Sequence, residues 1–333
     1  MFIPRYWSRG EADVVAPGGR RLHLRVWRGS RTDTAEAQAL ADEAVQRMAA
    51  RVRAGEPFPQ KYTYGDRPLR EEVVREIGTA PDGGPDVAIT RNVYGALVLN
   101  AARVFFIDVD LTDGDEEREA PRRSAPSGGG SAWGMVEGIF GRSRVDSLPS
   151  AAKSILEGFL GPRSGGGAAA SPSPAPSAPA NGAAAAVERL RRFVAERPGW
   201  RVRVYRTQAG LRYLVTHALF RPDDAEARDV MQALGADPQY VRLCAAQKSF
   251  RARLTPKPWR IGVENPPVGF PYEGPGEERA MRDWERRYEA ASAGRATCRL
   301  LEEIGDGEAH PEAAAVAALH DEQTRATSNL PLA

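Results

Sequence analysis

Two carboxylates two residues apart at the end of an apolar strand are the groups in this chain best suited to chemistry. The run Val104-Phe105-Phe106-Ile107 leads into Asp108-Val109-Asp110. Strand side chains alternate faces, so Asp108 and Asp110 share one side about 7 Å apart. Carboxylates so placed suit a divalent metal, and the end of the apolar run puts them at a sheet edge or cleft that ligands can reach. Farther along, residues 201–260 carry twelve Lys and Arg against five Asp and Glu, a local charge of about +7 and a candidate phosphate-facing surface. Its densest part is Phe250-Arg251-Ala252-Arg253-Leu254-Thr255-Pro256-Lys257-Pro258-Trp259-Arg260. Pro256 and Pro258 forbid a helix there, so these cations ride on extended or looped backbone.

The elements that must position these groups follow from periodicity and punctuation. Leu22 to Trp27 alternates and reads as a strand after the Pro17-Gly18-Gly19 turn. Thr32-Asp33-Thr34 caps a helix from Ala35 to Arg53, stopped by Gly55 and Pro57. Tyr62 to Pro68 is a tight aromatic and glycine loop, and the spacing predicts a helix from Leu69 to Ile77. Val87 to Arg91, Tyr94 to Leu99 and Arg103 to Asp110 are strands close enough in sequence for an antiparallel meander.

From Thr112 to Ala186 the chain is rich in Gly, Ser, Pro and Ala, with an acidic start from Asp113 to Glu119, and reads as disorder holding small apolar islands at Trp133–Phe140 and Ile155–Leu160. Regular patterning resumes with a helix from Val187 to Glu196 and strands over Trp200–Thr207 and Leu211–His217. A helix from Asp224 to Leu234 then ends at Gly235. Glu277 to Ile304 reads as one long charged helix, followed past His310 by a short helix and a disordered tail.

The expected fold is therefore α+β, an antiparallel or mixed sheet flanked by helices and interrupted by a long disordered insertion. Residues 1–111 and 187–275 form two halves of one composite domain, 112–186 the insertion, and 276–333 a helical tail.

Composition excludes several functions. Lys and Arg number 46 against 44 Asp and Glu, a net charge of +2, so the chain is no polybasic nucleic-acid coat. Two cysteines, Cys244 and Cys298, do not make a disulfide framework or a cysteine zinc site. There is no signal-peptide core and no apolar run of membrane-spanning length, so the expectation is a cytoplasmic protein without membrane contact.

The order of these features resembles the archaeo-eukaryotic primase or primase-polymerase superfamily. Its first motif is an apolar strand ending in Asp-x-Asp, here Asp108 and Asp110. Its second is a strand and turn, for which Arg206-Thr207-Gln208-Ala209-Gly210-Leu211-Arg212 stands here, with Arg212 in the place of a phosphate-contacting histidine. Its third is a further metal-binding acid followed by basic residues, matched by Asp237 with Arg251, Arg253 and Lys257. The resemblance spans about residues 87–111 and 187–260. Met1–Trp7, Tyr64–Val73 and Phe250–Arg260 also look like an uncharacterised bacterial family, a likeness that carries no activity.

The resemblance implies a metal-dependent nucleotidyltransferase, or a degenerate nucleotide or nucleic-acid binder. Mg²⁺ or Mn²⁺ would be held by Asp108, Asp110 and Asp237. A nucleoside triphosphate, with DNA or RNA, would meet Arg206, Thr207, Arg212, Arg251, Arg253 and Lys257.

Other readings remain open. Asp108-Val109-Asp110-Leu111-Thr112 also matches the opening of haloacid-dehalogenase-like phosphatases, with Asp108 as nucleophile and Asp110 as acid and base. Nucleotide-sugar transferases share an Asp-x-Asp metal site. A non-catalytic interaction module, recruiting a protein partner through its long C-terminal helix, needs no metal at Asp108 or Asp110. His217 ends a strand, where a structural role competes with phosphate contact. Tyr62, Tyr64, Trp200, Tyr205 and Trp259 are candidates for base stacking or for core.

Overall fold

A computed structural model describes residues 1, 3–56, 70–111 and 180–333. The Tyr62–Pro68 loop, the acidic stretch 113–119 and the islands at 133–140 and 155–160 lie outside the described residues.

The N-terminal hairpin pairs β1 (Tyr6–Val15) with β2 (Arg21–Ser30), antiparallel throughout. Val14, Leu24 and Val26 face helix α1 (Thr34–Arg53), where Ala44, Val45, Ala49 and Val52 complete a small separate core. Asp33 caps α1 by accepting from the Glu36 N–H at 2.7 Å. Gly10 permits close crossing, since a Cβ there would lie 2.4 Å from the Ala41 carbonyl oxygen.

Two four-stranded antiparallel sheets make up the body. The first has the order β3 (Glu72–Ile77), β4 (Val87–Arg91), β5 (Leu97–Ala101), β9 (Phe250–Arg253). The second runs β10 (Cys298–Ile304), β7 (Val202–Thr207), β8 (Gly210–Val215), β6 (Phe106–Asp110). The chain is α+β, and strands from before residue 112 pair in both sheets with strands from after residue 187: β5 with β9, and β6 with β8.

Helices close both faces of the second sheet. On one side lies α2 (Ala180–Ala195), whose Ala186 carbonyl accepts from the Tyr213 hydroxyl at 3.1 Å. On the other lies α6 (Pro311–Thr324), whose His320 ring sits 5.3 Å from Phe106 and 4.8 Å from Tyr205. Helices α3 (Ala225–Leu234) and α4 (Pro238–Gln247) contribute Met231, Leu234, Tyr240 and Cys244 to the same core. The Tyr240 hydroxyl joins the two sheets where β6 approaches β9. It donates to the Phe106 carbonyl at 2.8 Å and accepts from the Arg251 N–H at 3.4 Å.

Several expectations are corrected. The segment ending at Ile77 is a strand, not a helix: Glu72-Val73-Val74-Arg75-Glu76-Ile77 is β-branched-rich and finds a partner in β4, and long-range pairing overrides the helical spacing. The three strands after it are not one meander. Asn92 accepts from the N–H groups of Tyr94 and Ala96, which turns the chain and delays β5 to Leu97, and β6 crosses to the other sheet. Helix α2 begins inside the span assigned to the insertion, at Ala180.

The 276–333 segment is not a helical tail. Helix α5 (Pro275–Ser292) stops where the Arg325 guanidinium meets the carbonyls of Ser292 (2.9 Å), Ala293 and Arg295 (3.3 Å). Residues 298–304 then form β10, with alternating buried and exposed positions, on β7. The last residues are packed rather than loose: Ala326 is 1% exposed and its carbonyl accepts from the Leu300 N–H at 2.9 Å. Among the described residues, no helix is long and apolar enough to cross a membrane.

Candidate functional site

Register determines what Asp108 can do. It stands directly opposite Arg212 on β8. The Arg212 guanidinium grips it as a fork, Nε to Oδ1 at 2.7 Å and Nη2 to Oδ2 at 3.0 Å, so both carboxylate oxygens face a cation. Arg212 is 2% exposed, and its Nη1 donates to the Arg253 carbonyl at 2.9 Å and faces His320 Nε2 at 3.3 Å. Burial alone would make Arg212 easier to deprotonate, but the Asp108 carboxylate more than reverses that and holds the guanidinium charged.

The network continues inward. Because Arg212 can only donate, His320 Nε2 must accept, which leaves the imidazole proton on Nδ1, 3.4 Å from Asp321 Oδ1. Burial first, and the Arg212 charge after it, push His320 down to about 4, despite the Asp321 carboxylate. Asp321 also accepts from the Tyr205 hydroxyl at 2.8 Å and pairs with Arg203 at 2.9 Å. The Cys298 sulfur lies 3.9 Å from His320 Nε2, with its thiol pushed up to about 11 chiefly by burial. Sequence reasoning expects a short helix past His310 but does not single out His320, Asp321 or Arg203. The available signal was α6 itself: Ala313, Val316, Ala317, His320 and Thr324 recur at i, i+3, i+4, i+7 and i+11 and share one face, which puts His320 on the stripe that is buried.

Asp110 lies on the same face as Asp108 at the exposed end of β6, opposite Gly210. A Cβ at Gly210 would lie 2.0 Å from the Val109 carbonyl oxygen, so the two strands close tightly there. Asp237 is adjacent through its backbone, its N–H donating to the Asp108 carbonyl at 3.2 Å. Its carboxylate is turned away to cap α4, accepting from the N–H groups of Gln239 (2.9 Å) and Tyr240 (3.2 Å). As arranged, Asp108, Asp110 and Asp237 do not form a shared ligand set. Among the described residues no three His, Cys, Asp or Glu side chains are grouped to hold a metal ion.

The basic candidates separate. Arg206 pairs with Leu211, one position off the Tyr205–Arg212 pair, so it leaves the sheet on the face opposite Asp108. Its Nη1 lies 3.5 Å from the Gly210 carbonyl. Thr207 accepts from the Gly210 N–H at 3.0 Å and closes the β7–β8 turn. Arg251 is buried, its Nη2 shared between the two Glu71 carboxylate oxygens at 2.8 and 3.0 Å and its Nη1 donating to Asn100 Oδ1 at 2.7 Å. Lys257 precedes the 3-10 turn Pro258–Ile261 and sits 5.4 Å from the Trp259 ring centroid.

Arg253 differs from all of these. Its side chain is half-buried, and its Nε is shut off from solvent with no hydrogen-bond partner among the described residues. Burial first, then the charges of Arg260 and Arg212, push it down to about 10, while Asp108 only partly offsets them.

His217 accepts from the Arg201 N–H at 3.3 Å and packs 4.5 Å from Trp200, with burial lowering its basicity. Tyr205 is fully buried, Trp200 packs against Phe193 and Phe220, and Tyr62 and Tyr64 lie outside the described residues. Trp259 meets Tyr94 edge to face at 5.2 Å.

Compared with known proteins, the chain matches no family model, no curated protein and no solved structure.

Proposed function

We propose that the protein binds nucleotides or nucleic acid through phosphate contacts, as a primase-polymerase-like domain in which Asp108 has a structural role. The supporting observation is an accumulation of guanidinium groups where β8, β9 and the 3-10 turn meet. The charges of Arg260 and Arg212 both act against that of Arg253 there, and Asp108, the carboxylate that most favours the Arg253 charge, has both oxygens on Arg212. Local positive charge of this kind attracts polyanions with an affinity that falls as salt rises.

Metal-dependent nucleotidyl transfer on Mg²⁺ or Mn²⁺ is the less supported version of this reading. It requires Asp108 to leave Arg212 and Asp237 to leave the N-terminus of α4. Breaking the first contact would strand a buried cation, which is costly.

Fluorescence anisotropy with labelled oligonucleotides and nucleoside triphosphates, with and without Mn²⁺ and at low and high salt, tests the proposal. Salt-sensitive binding that does not need Mn²⁺ and survives Asp110→Asn is expected. No binding by folded protein at low salt, or binding that appears only with Mn²⁺ and disappears with Asp110→Asn, would overturn it.

A further inference from the structure

We propose that Arg253 is the seat of one phosphate-type oxyanion, held by its guanidinium. This rests on the phosphate-binding reading above and narrows it to one group. Arg251 and Arg253 stand two residues apart on β9, and the strand alternation places them on the same face. Arg251 is saturated by a carboxylate and an amide oxygen. Arg253 has a buried Nε–H with no acceptor among the described residues. Buried donors without acceptors are uncommon, and one in a native protein calls for an explanation such as an ion that belongs there.

Three further observations point to an anion. Arg253 is rigidly mounted, its backbone paired with Val98 and its carbonyl tied to Arg212 at 2.9 Å, so the guanidinium projects from a fixed base. The charges of Arg260 and Arg212 both act against that of Arg253, so a negative charge placed on its guanidinium is favourable. The carboxylate that could neutralise it, Asp108, is already forked on Arg212. A planar guanidinium offers parallel N–H groups that match two oxygens of a phosphate. The ligand class is a phosphate oxyanion, whether free, on a nucleotide or in a nucleic-acid backbone.

Thermal unfolding of the full chain with inorganic phosphate, against sodium chloride at matched ionic strength, reads this out. Phosphate is expected to raise the Tm of the parent. Arg253→Met is expected to unfold no lower than the parent without phosphate, because it removes an uncompensated charge, and to lose the response to phosphate. Arg253→Gln gives the same readout should the Met variant fold poorly. A parent indifferent to phosphate, or a response retained in both variants, would overturn the seat. Repeating the titration with a nucleoside monophosphate and a short oligonucleotide separates the two proposals. Response to phosphate alone supports the seat while removing the nucleotide reading; nucleotide affinity undiminished in both variants overturns the seat while leaving that reading in place.

Discussion

Arg206 and Arg212 flank one tight turn, yet their side chains leave the sheet on opposite faces: Arg206 stands beside Leu211, and Arg212 beside Tyr205. Only Arg212 lies under α6, where it contacts His320. The two residues therefore differ in consequence. Arg206→Ala is expected to change stability by no more than about 0.5 kcal/mol, as at ordinary surface positions, in a urea titration.

Asp108→Asn keeps the shape of the fork and removes its charge. Arg212 is then left buried against a neutral amide. Because Asp108 retains a side-chain exposure of 32%, the expected loss is at the lower end for broken buried pairs, about 2 kcal/mol. The double variant Asp108→Leu, Arg212→Met should recover part of that loss. A double variant less stable than the sum of the singles would contradict the pairing, as read by guanidinium denaturation in a double-mutant cycle.

Acidification tests His320. Its folded-state value, about 4, lies below its ordinary value of 6.5, so the unfolded chain binds the proton more readily. The stability from keeping it neutral is complete above about pH 6.5, falls as the pH drops toward 4, and is lost below that. The total approaches about 3 kcal/mol at 1.36 kcal/mol per pH unit. Unfolding free energies measured from pH 7 to pH 4 should show this slope, and His320→Gln should flatten it.

Asp237→Ala is expected to cost about 1 kcal/mol through loss of the α4 cap, with Asp237→Asn retaining most of it. Phosphate and oligonucleotide binding should be unchanged in either variant. A specific loss of binding in the Asn variant, without loss of stability, would assign Asp237 to a ligand instead.

Gly210→Ala places a methyl group against the Val109 carbonyl at the end of β6. Overpacking of this kind costs about 1–3 kcal/mol, and the strain falls on the turn that ends in Thr207 and Gly210. Hydrogen exchange should show earlier opening of Leu111 and Gly210 than in the parent.

Much of the architecture was legible locally. Gly235 ends α3 in the left-handed conformation, and the apolar run that leads into Asp108-Val109-Asp110 marks β6. What local pattern does not carry is register and distant partnership. Arg251 and Arg253 are indistinguishable in sequence, and what separates them is Glu71, 180 residues away from Arg251. Asp-x-Asp predicts two carboxylates on one face but not the arginine across the ladder. Glu72–Ile77 and Cys298–Ile304 carry enough Glu and Arg to read as helix, and each becomes a strand because a sheet edge offers backbone partners. The primase-like motif order makes Asp237 a ligand, but Pro238 after it marks a helix start with Asp at the cap.

The pairing of β6 with β8 and of β5 with β9 also governs the order of events at the ribosome. The hairpin and α1, with their own core, can assemble as soon as they emerge. By contrast, β6 ends at Asp110 and must wait for Gly210 to be synthesised. At roughly 5–20 residues per second that wait is on the order of 5–20 s. During it, an apolar strand and its carboxylates have no ladder, and the unpaired edge is open to aggregation.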